Sequence, residues 1–301
     1  GLMADARALA AAHHTLSSYD VVAVFFRDLS GVVNSQITYG GLASVGGDKH
    51  WINGSNSVGV ILHEFGHNYG LRHANYWDPG QGIAGSYNDP AASSLEYGDI
   101  FDTMGGGSAT KGYFNPYTTN QLDWLPDSKV ATATAGGTWR IHRFDDPAAL
   151  SNQVLALRVP VGGGVYYWVC HRRLYDSSHN LENGAYVVAE GLYPSNYGAE
   201  QLTNLIDMTP GSASPETEDR DDAGLPSGSS FEQSGVTIEV VAAGGVSPHQ
   251  WIDVEVGFES RVSIVDTAPE VDEQAGVAYV TLARTFGGGG AASVDFQTSN
   301  G

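Results

Sequence analysis

The spacing of apolar and polar positions changes along the chain, and the changes mark its parts. Ala4 to Leu16 is alanine-rich and reads as a helix. Val21-Val22-Ala23-Val24-Phe25-Phe26 is a short apolar run suited to a buried strand. Ile37 to Val45 reads as a second strand. Ser55, Asn56 or Ser57 can cap a helix that starts at once. In that helix Val58, Ile61, Leu62, Phe65 and Tyr69 recur at helical spacing, which predicts one apolar stripe facing a core. Asn75 to Tyr113 is full of Gly, Asp, Asn, Ser and Pro and has little periodicity. It reads as an extended loop region, of a kind that is usually functional or pinned by a metal. Asn115 to Trp124 predicts a last helix, which Pro126 ends.

After residue 128 the runs shorten and become β-type. They are Thr138 to His142, Val154 to Val159, Tyr166 to Val169, Ala185 to Val188, Val236 to Val241 and Trp251 to Val256. Gly, Pro, Asn and Asp punctuate them, a pattern that predicts an antiparallel sandwich. From Ser260 onward a further β module begins, with Pro269 to Glu273 preceding Gly276 to Leu282. Roughly 40 residues are few for an independent sandwich, so the native protein is expected to continue past Gly301. The chain opens on Gly1-Leu2-Met3-Ala4-Asp5-Ala6-Arg7 with no secretory signal, which reads as a trimmed end.

Charge narrows the partners. The chain has 301 residues with 14 Lys plus Arg against 34 Asp plus Glu, a net charge of −20. Such a polyanion repels nucleic acid and anionic membrane. No apolar run approaches the roughly 20 residues that span a bilayer, so no membrane insertion is expected. The excess carboxylates serve solubility, or some of them hold calcium. Glu216-Thr217-Glu218-Asp219-Arg220-Asp221-Asp222 has the same two readings, a solvated loop or a calcium ligand set. Cys170 is the only cysteine and excludes an internal disulfide framework.

The chemistry concentrates in His63-Glu64-Phe65-Gly66-His67-Asn68-Tyr69-Gly70-Leu71-Arg72-His73. Residues four apart share one helix face, about 6 Å apart along the axis, so His63 and His67 can present two imidazoles to one ion. Gly70 can take a positive φ, end the helix and return His73 to the same point. Three imidazoles leave a fourth zinc position open for water, as a catalytic site requires. Glu64, beside the first ligand, is placed to take a proton from that water.

This stretch is the metzincin signature, and the chain resembles the gametolysin-like branch of that family of zinc peptidases over roughly residues 20 to 125. The resemblance also rests on Gly41-Leu42-Ala43, Gly46-Gly47, Trp51-Ile52-Asn53-Gly54, Tyr97-Gly98-Asp99 to Met104, Gly112 to Pro116 and Leu122 to Leu125. It implies that Met104, in Asp102-Thr103-Met104-Gly105, makes a methionine turn beneath the histidines. It also implies that Tyr39 to Val45 is an edge strand that pairs with extended substrate, with Leu42, Ala43 and Ser44 in contact with it. Some metzincins carry a tyrosine two residues past that methionine as a further ligand. Gly106 stands there instead, and Tyr113 is the substitute considered. The first strand expected before Ala4 is missing, which implies that an upstream piece, including any inhibitory propeptide, was removed. The tail, chiefly Ala291 to Gly301, resembles the opening of a Calx-beta module, and such modules are extracellular and often bind calcium.

The expectation is therefore an α+β protein in three parts. Residues 1–128 form a metzincin-like zinc peptidase domain, a twisted mixed sheet plus a zinc helix. Residues 129–258 form an antiparallel β-sandwich, and residues 259–301 a partial Calx-beta-like segment. The function expected is a secreted, extracellular zinc endopeptidase. It has one catalytic Zn2+, with Ca2+ as a second metal to consider, and protein or peptide as substrate. Two other readings stay open: an extracellular binding or adhesion protein with structural zinc, and a zinc hydrolase of a non-peptide amide or ester.

Overall fold

The computed structural model describes residues 1–80, 82–85, 91–106, 113–145, 152–172, 179–191, 202–212, 219–259, 261–265 and 279–285. The fold is α+β and mostly sheet, with three α-helices among these residues. None of those helices is long and apolar enough to cross a membrane.

Helix α1 (Leu2–Ala11) buries none of its residues. It stops short of the expected Leu16, where only a three-residue 3-10 turn, Leu16–Ser18, follows. His13, His14 and Thr15 are weak helix formers, and no packed face extends the helix through them. Strands β1 (Val22–Phe26), β2 (Gly41–Ala43) and β3 (Lys49–Asn53) form a small mixed sheet in the order β1-β3-β2. β1 runs parallel to β3 and β2 antiparallel to it. The strand expected over Ile37 to Val45 is thus three residues long, and β2 sits at an edge. Helix α2 (Val58–Asn68) packs on β2 and β3.

The expected long loop contains two strands, β4 (Ala74–Asp78) and β5 (Ser93–Leu95). They were hidden because β5 is only three residues long and the buried Asn75 interrupts the apolar Ala74, Tyr76 and Trp77 of β4. Asn75 Nδ2 donates to Ser94 Oγ (2.9 Å), and Ser94 Oγ donates to Asn204 Oδ1 (2.5 Å), in a buried chain across three strands. Such a chain is stable because each buried polar group has a partner, but it carries no apolar alternation. Helix α3 (Pro116–Gln121) follows, its N-terminal amide at Thr118 held by the Asn115 side chain.

The remaining strands are β6 (Val130–Thr132), β7 (Gly137–His142), β8 (Ala156–Gly162), β9 (Val165–Cys170), β10 (Tyr186–Glu190), β11 (Thr203–Leu205), β12 (Ser230–Gln233), β13 (Val236–Gly244) and β14 (Trp251–Phe258). Seven strands form one sheet in the order β5-β4-β11-β10-β9-β8-β6, and four form another in the order β12-β13-β14-β7. The four-stranded sheet is antiparallel throughout. The seven-stranded sheet departs from the expected antiparallel pattern, because β4 pairs parallel with β11 and β6 with β8. It also takes strands from both sides of residue 128.

The two sheets share one core. Val159, Tyr167, Val169 and Val187 meet Phe231, Ile238, Val240, Ile252 and Val254. The alternate residues of β9 and β10, Trp168, Cys170, Tyr186 and Val188, enter a second core with Tyr117 and Leu205. A strand buried on both faces reads as an unbroken apolar run, which is why β9 and β10 stand out in the sequence. Burying each such side chain contributes about 1.5–3 kcal/mol. Two short antiparallel strands, β15 (Arg261–Ile264) and β16 (Leu282–Thr285), close the described part. The Calx-beta-like residues Ala291 to Gly301, and Glu216 to Glu218 of the acidic stretch, lie outside the described residues.

Candidate metal centre

Helix α2 does not bury the stripe that periodicity predicts. Val58, Leu62 and Tyr69 are exposed, whereas Glu64, Gly66, His67 and Asn68 are buried. Polar contacts set its rotation. Asn68 Nδ2 donates to the carbonyls of Ser44 (3.2 Å) and Lys49 (3.0 Å), and Asn68 Oδ1 lies 2.7 Å from His50 Nδ1. These bonds fix α2 to the β2–β3 turn with its histidines facing a cleft. Ser57 occupies the cap position, but its side chain makes no capping bond.

His63 and His67 stand one turn apart on α2. Past the helix Gly70 has φ +97°, and the reversal brings His73 back beside them. The ring centroids lie 4.8 Å (His63–His67), 5.3 Å (His63–His73) and 4.9 Å (His67–His73) apart. The three can each offer one nitrogen to a common ion.

Acceptors hold every Nδ1. His63 Nδ1 is 2.9 Å from the Thr103 carbonyl, His67 Nδ1 is 2.9 Å from the Leu71 carbonyl, and His73 Nδ1 is 2.6 Å from Glu96 Oε1. A carbonyl or carboxylate oxygen can only accept, so each Nδ1 carries the proton and each Nε2 presents a lone pair. The Nε2 atoms of His67 and His73 lie 3.1 Å apart. Two lone pairs facing each other at that distance repel unless a cation lies between them. Tetrahedral zinc, with bonds of about 2.0–2.1 Å, would set its nitrogens about 3.3 Å apart. Outer partners on each Nδ1 are what fix a metal-binding imidazole's tautomer and orientation. Burial lowers His63 to about 4 and lowers His67 and His73 as well. All three are therefore neutral at neutral pH, as metal binding requires. The donor set and this geometry fit a zinc ion.

Glu64 is buried beside His63, and its Oε2 has no hydrogen-bond partner. Burial raises its carboxyl to about 7. Gly41 of β2 lies directly over this carboxylate, where a Cβ would strike Glu64 Oε1. An open cleft of about 540 Å³ lies over the imidazoles, with Gly41, Leu42 and Ala43 on one wall. A second hollow of about 430 Å³ continues past His63 and Glu64.

Met104 is fully buried, with Leu71 and Ala74, beneath α2. Its sulfur packs against Gly66, where a Cβ would collide with it. Gly66→Ala overpacks this contact and is expected to destabilise the metal-free protein by about 1–3 kcal/mol. Denaturant unfolding measures this, and an unchanged midpoint would show that the Met104 sulfur moves aside freely.

Of the other expected site residues, Leu42 and Ala43 line the cleft, but Ser44 and Tyr113 are not among its lining residues. The Ser44 carbonyl anchors Asn68 instead. Tyr113 packs on Phe144 with ring centroids 5.5 Å apart. The sequence reading places Glu96 and Tyr97 just before the expected methionine turn but assigns neither a role. Glu96 orients His73, and Tyr97, at φ +61°, lays its ring 3.9 Å from that of His73. A tyrosine at positive φ is uncommon.

The loop carrying Glu96, Tyr97, Thr103 and Met104 is tied to the seven-stranded sheet by buried charge. Arg172 Nη1 donates to the Phe101 carbonyl (2.6 Å), and the Tyr186 hydroxyl donates to Asp99 Oδ2. Asp102 accepts from the amides of Met104 (2.6 Å) and Asn115 (2.5 Å). Burial raises the carboxyls of Asp99 and Asp102, while Arg172 pulls both back down. Compared with models of known families, with curated proteins and with solved structures, the chain matches none.

Proposed function

We propose that this chain is a zinc-dependent endopeptidase of the metzincin type, acting on protein or peptide outside the cell. The observation that carries the reading is the pair of facing Nε2 lone pairs beside an unpartnered glutamate. His63, His67 and His73 hold the ion, and Glu64 is the acid–base group. When bound, zinc supplies Lewis-acid polarisation and lowers the pKa of water to about 7. Glu64 Oε2 takes the proton of the attacking water and returns it to the leaving amine nitrogen. Burial raises this carboxyl and a bound cation would lower it again, and such opposed influences suit a group that both takes and returns a proton.

Strand β2 supplies the substrate grip. Its inner edge pairs with β3 and, among the described residues, its other edge has no strand beside it, so an extended peptide can add to it by main-chain hydrogen bonds. Leu42 is half exposed there, available to a substrate side chain. β2 also places the incoming backbone over Glu64, because Gly41 leaves room for the carboxylate.

Zinc content and cleavage of a mixed peptide pool test the proposal together. One zinc per chain is expected, with cleavage lost to a chelator and restored by zinc. Zinc-loaded, folded protein that cleaves small amides or esters but no peptide would favour the non-peptide hydrolase. No zinc after reconstitution would remove the basis of the reading.

A further inference from the structure

Tyr97 stands in a turn that does not need a tyrosine. The Gly98 amide donates to the Leu95 carbonyl (3.1 Å), which closes Leu95-Glu96-Tyr97-Gly98 into a β-turn with Tyr97 third. Tyr97 has φ +61° there. Gly or Asn meets that demand without strain, so a bulky residue held in its place points to a role for the side chain. The surroundings hold it firmly. The Tyr97 amide donates to Asn75 Oδ1 (3.3 Å), and Gly98 lies so close to Tyr76 that a Cβ would strike it. The turn directs two side chains at one imidazole, Glu96 Oε1 at Nδ1 of His73 and the Tyr97 ring at the ring of His73, 3.9 Å away. Tyr97 also lines both hollows beside Glu64. It is half exposed, and its hydroxyl has no hydrogen-bond partner among the described residues. Burial, then the charges of Glu96 and Glu64, raise that hydroxyl above the ordinary tyrosine value. It therefore lies within electrostatic reach of Glu64 and stays a donor.

The β2 wall alone gives a peptide a short grip. The Asn53 amide bonds the Gly40 carbonyl (2.7 Å) and the Ser44 amide bonds the Lys49 carbonyl (3.1 Å). In the antiparallel register Gly40, Leu42 and Ser44 thus face β3, and only Gly41 and Ala43 turn their main-chain groups outward. Resting on the peptidase reading above, we propose that Tyr97 is a second grip on the substrate, its hydroxyl donating to a main-chain carbonyl of an extended peptide that lies on β2. As carboxylates, Glu64 and Glu96 only accept and cannot hold a carbonyl, whereas a phenol can. The substrate class is accordingly an extended oligopeptide, which reaches β2 and Tyr97 at once, and not a small amide or ester.

The test pairs binding with turnover. Zinc-loaded Glu64→Gln protein, with and without Tyr97→Phe, is titrated by calorimetry with a capped peptide that the unaltered protein cleaves. Tyr97→Phe should weaken binding by about three- to tenfold, the loss of one hydrogen bond. In protein that retains Glu64 it should raise KM by the same factor and leave kcat within about twofold, as the loss of uniform binding requires. Zinc content should stay at one per chain. Tyr97→Gly removes the ring and the positive-φ strain together, so it should weaken binding at least as much while the melting temperature does not fall. A side chain that only supported the fold would give the reverse, a lower melting temperature with peptide affinity unchanged, and that result would overturn the proposal. So would wild-type KM in Tyr97→Phe. An unaltered protein that holds zinc but cleaves no peptide would instead remove the peptidase reading, and this proposal with it.

Discussion

Glu64→Gln is expected to lower peptide cleavage by about 10²–10⁴-fold while leaving zinc content at one per chain. The glutamine amide keeps the size of the side chain beneath Gly41 and can neither accept nor return the proton. Glu64 is not needed as a ligand, because the three Nε2 atoms converge without it. Metal analysis and turnover, measured on the same preparation, separate the two roles. Retained cleavage by folded, zinc-loaded Glu64→Gln would remove Glu64 from the mechanism. The pH profile of the unaltered protein carries the same information. Burial raises the carboxyl to about 7 in the metal-free protein, and a nearby cation favours the carboxylate and lowers that value. The base must be ionised to accept a proton, so cleavage should fall as pH drops through the lowered value. The histidines set a second limit. Burial lowers all three below the ordinary imidazole value, His63 to about 4, so acid releases zinc only once it protonates them below that ordinary value.

The clustering of the three histidines was legible because its geometry is local. Two histidines four apart and a glycine three residues before the third are spacing facts, and φ at Gly70 agrees with them. The groups that make the ligands competent were not legible, because two of them are backbone carbonyls. Any residue can place a carbonyl where Thr103 and Leu71 place theirs, so side-chain identity carries no signal. Glu96 is a side chain, but its reach to His73 depends on β4 and β5, of which β5 is three residues long and β4 has its apolar run broken by the buried Asn75. The apolar spacing on α2 misled for a related reason. Its rotation is set by Asn68 and the histidines, and Val58, Leu62 and Tyr69 were left outside. Periodicity locates a helix well, but it names the buried face correctly only where apolar burial is the dominant force. In β9, β10, β13 and β14 it is, and there the expected strands and the observed ones agree to within a few residues.

The largest expected effect on stability lies at Arg172, on a residue that no motif marks. It is completely buried, its guanidinium 5.2 Å from the centroid of the Tyr186 ring and 2.6 Å from the Phe101 carbonyl. It is also the positive charge acting on Asp99 and Asp102. Arg172→Met keeps much of the volume and leaves two buried carboxyls without that charge, at an expected cost of about 3–5 kcal/mol near neutral pH. The sign of the pH dependence follows from the proton count. Burial already raises both carboxyls above their unfolded values, and removing Arg172 raises them further. The folded variant therefore binds more protons than the unfolded chain, so its stability falls as pH rises. The deficit should be larger at pH 8 than at pH 5, where protonated carboxyls need no counter-charge. Denaturant unfolding of both proteins at the two pH values measures it, and a deficit under 1 kcal/mol or flat with pH would contradict this account. Zinc affinity should fall with it, because the loop that Arg172 anchors carries the Thr103 carbonyl and Glu96, the partners of His63 and His73. The sheet after residue 128 would then be a working support of the metal centre, since it holds in place the atoms that orient two of its three ligands.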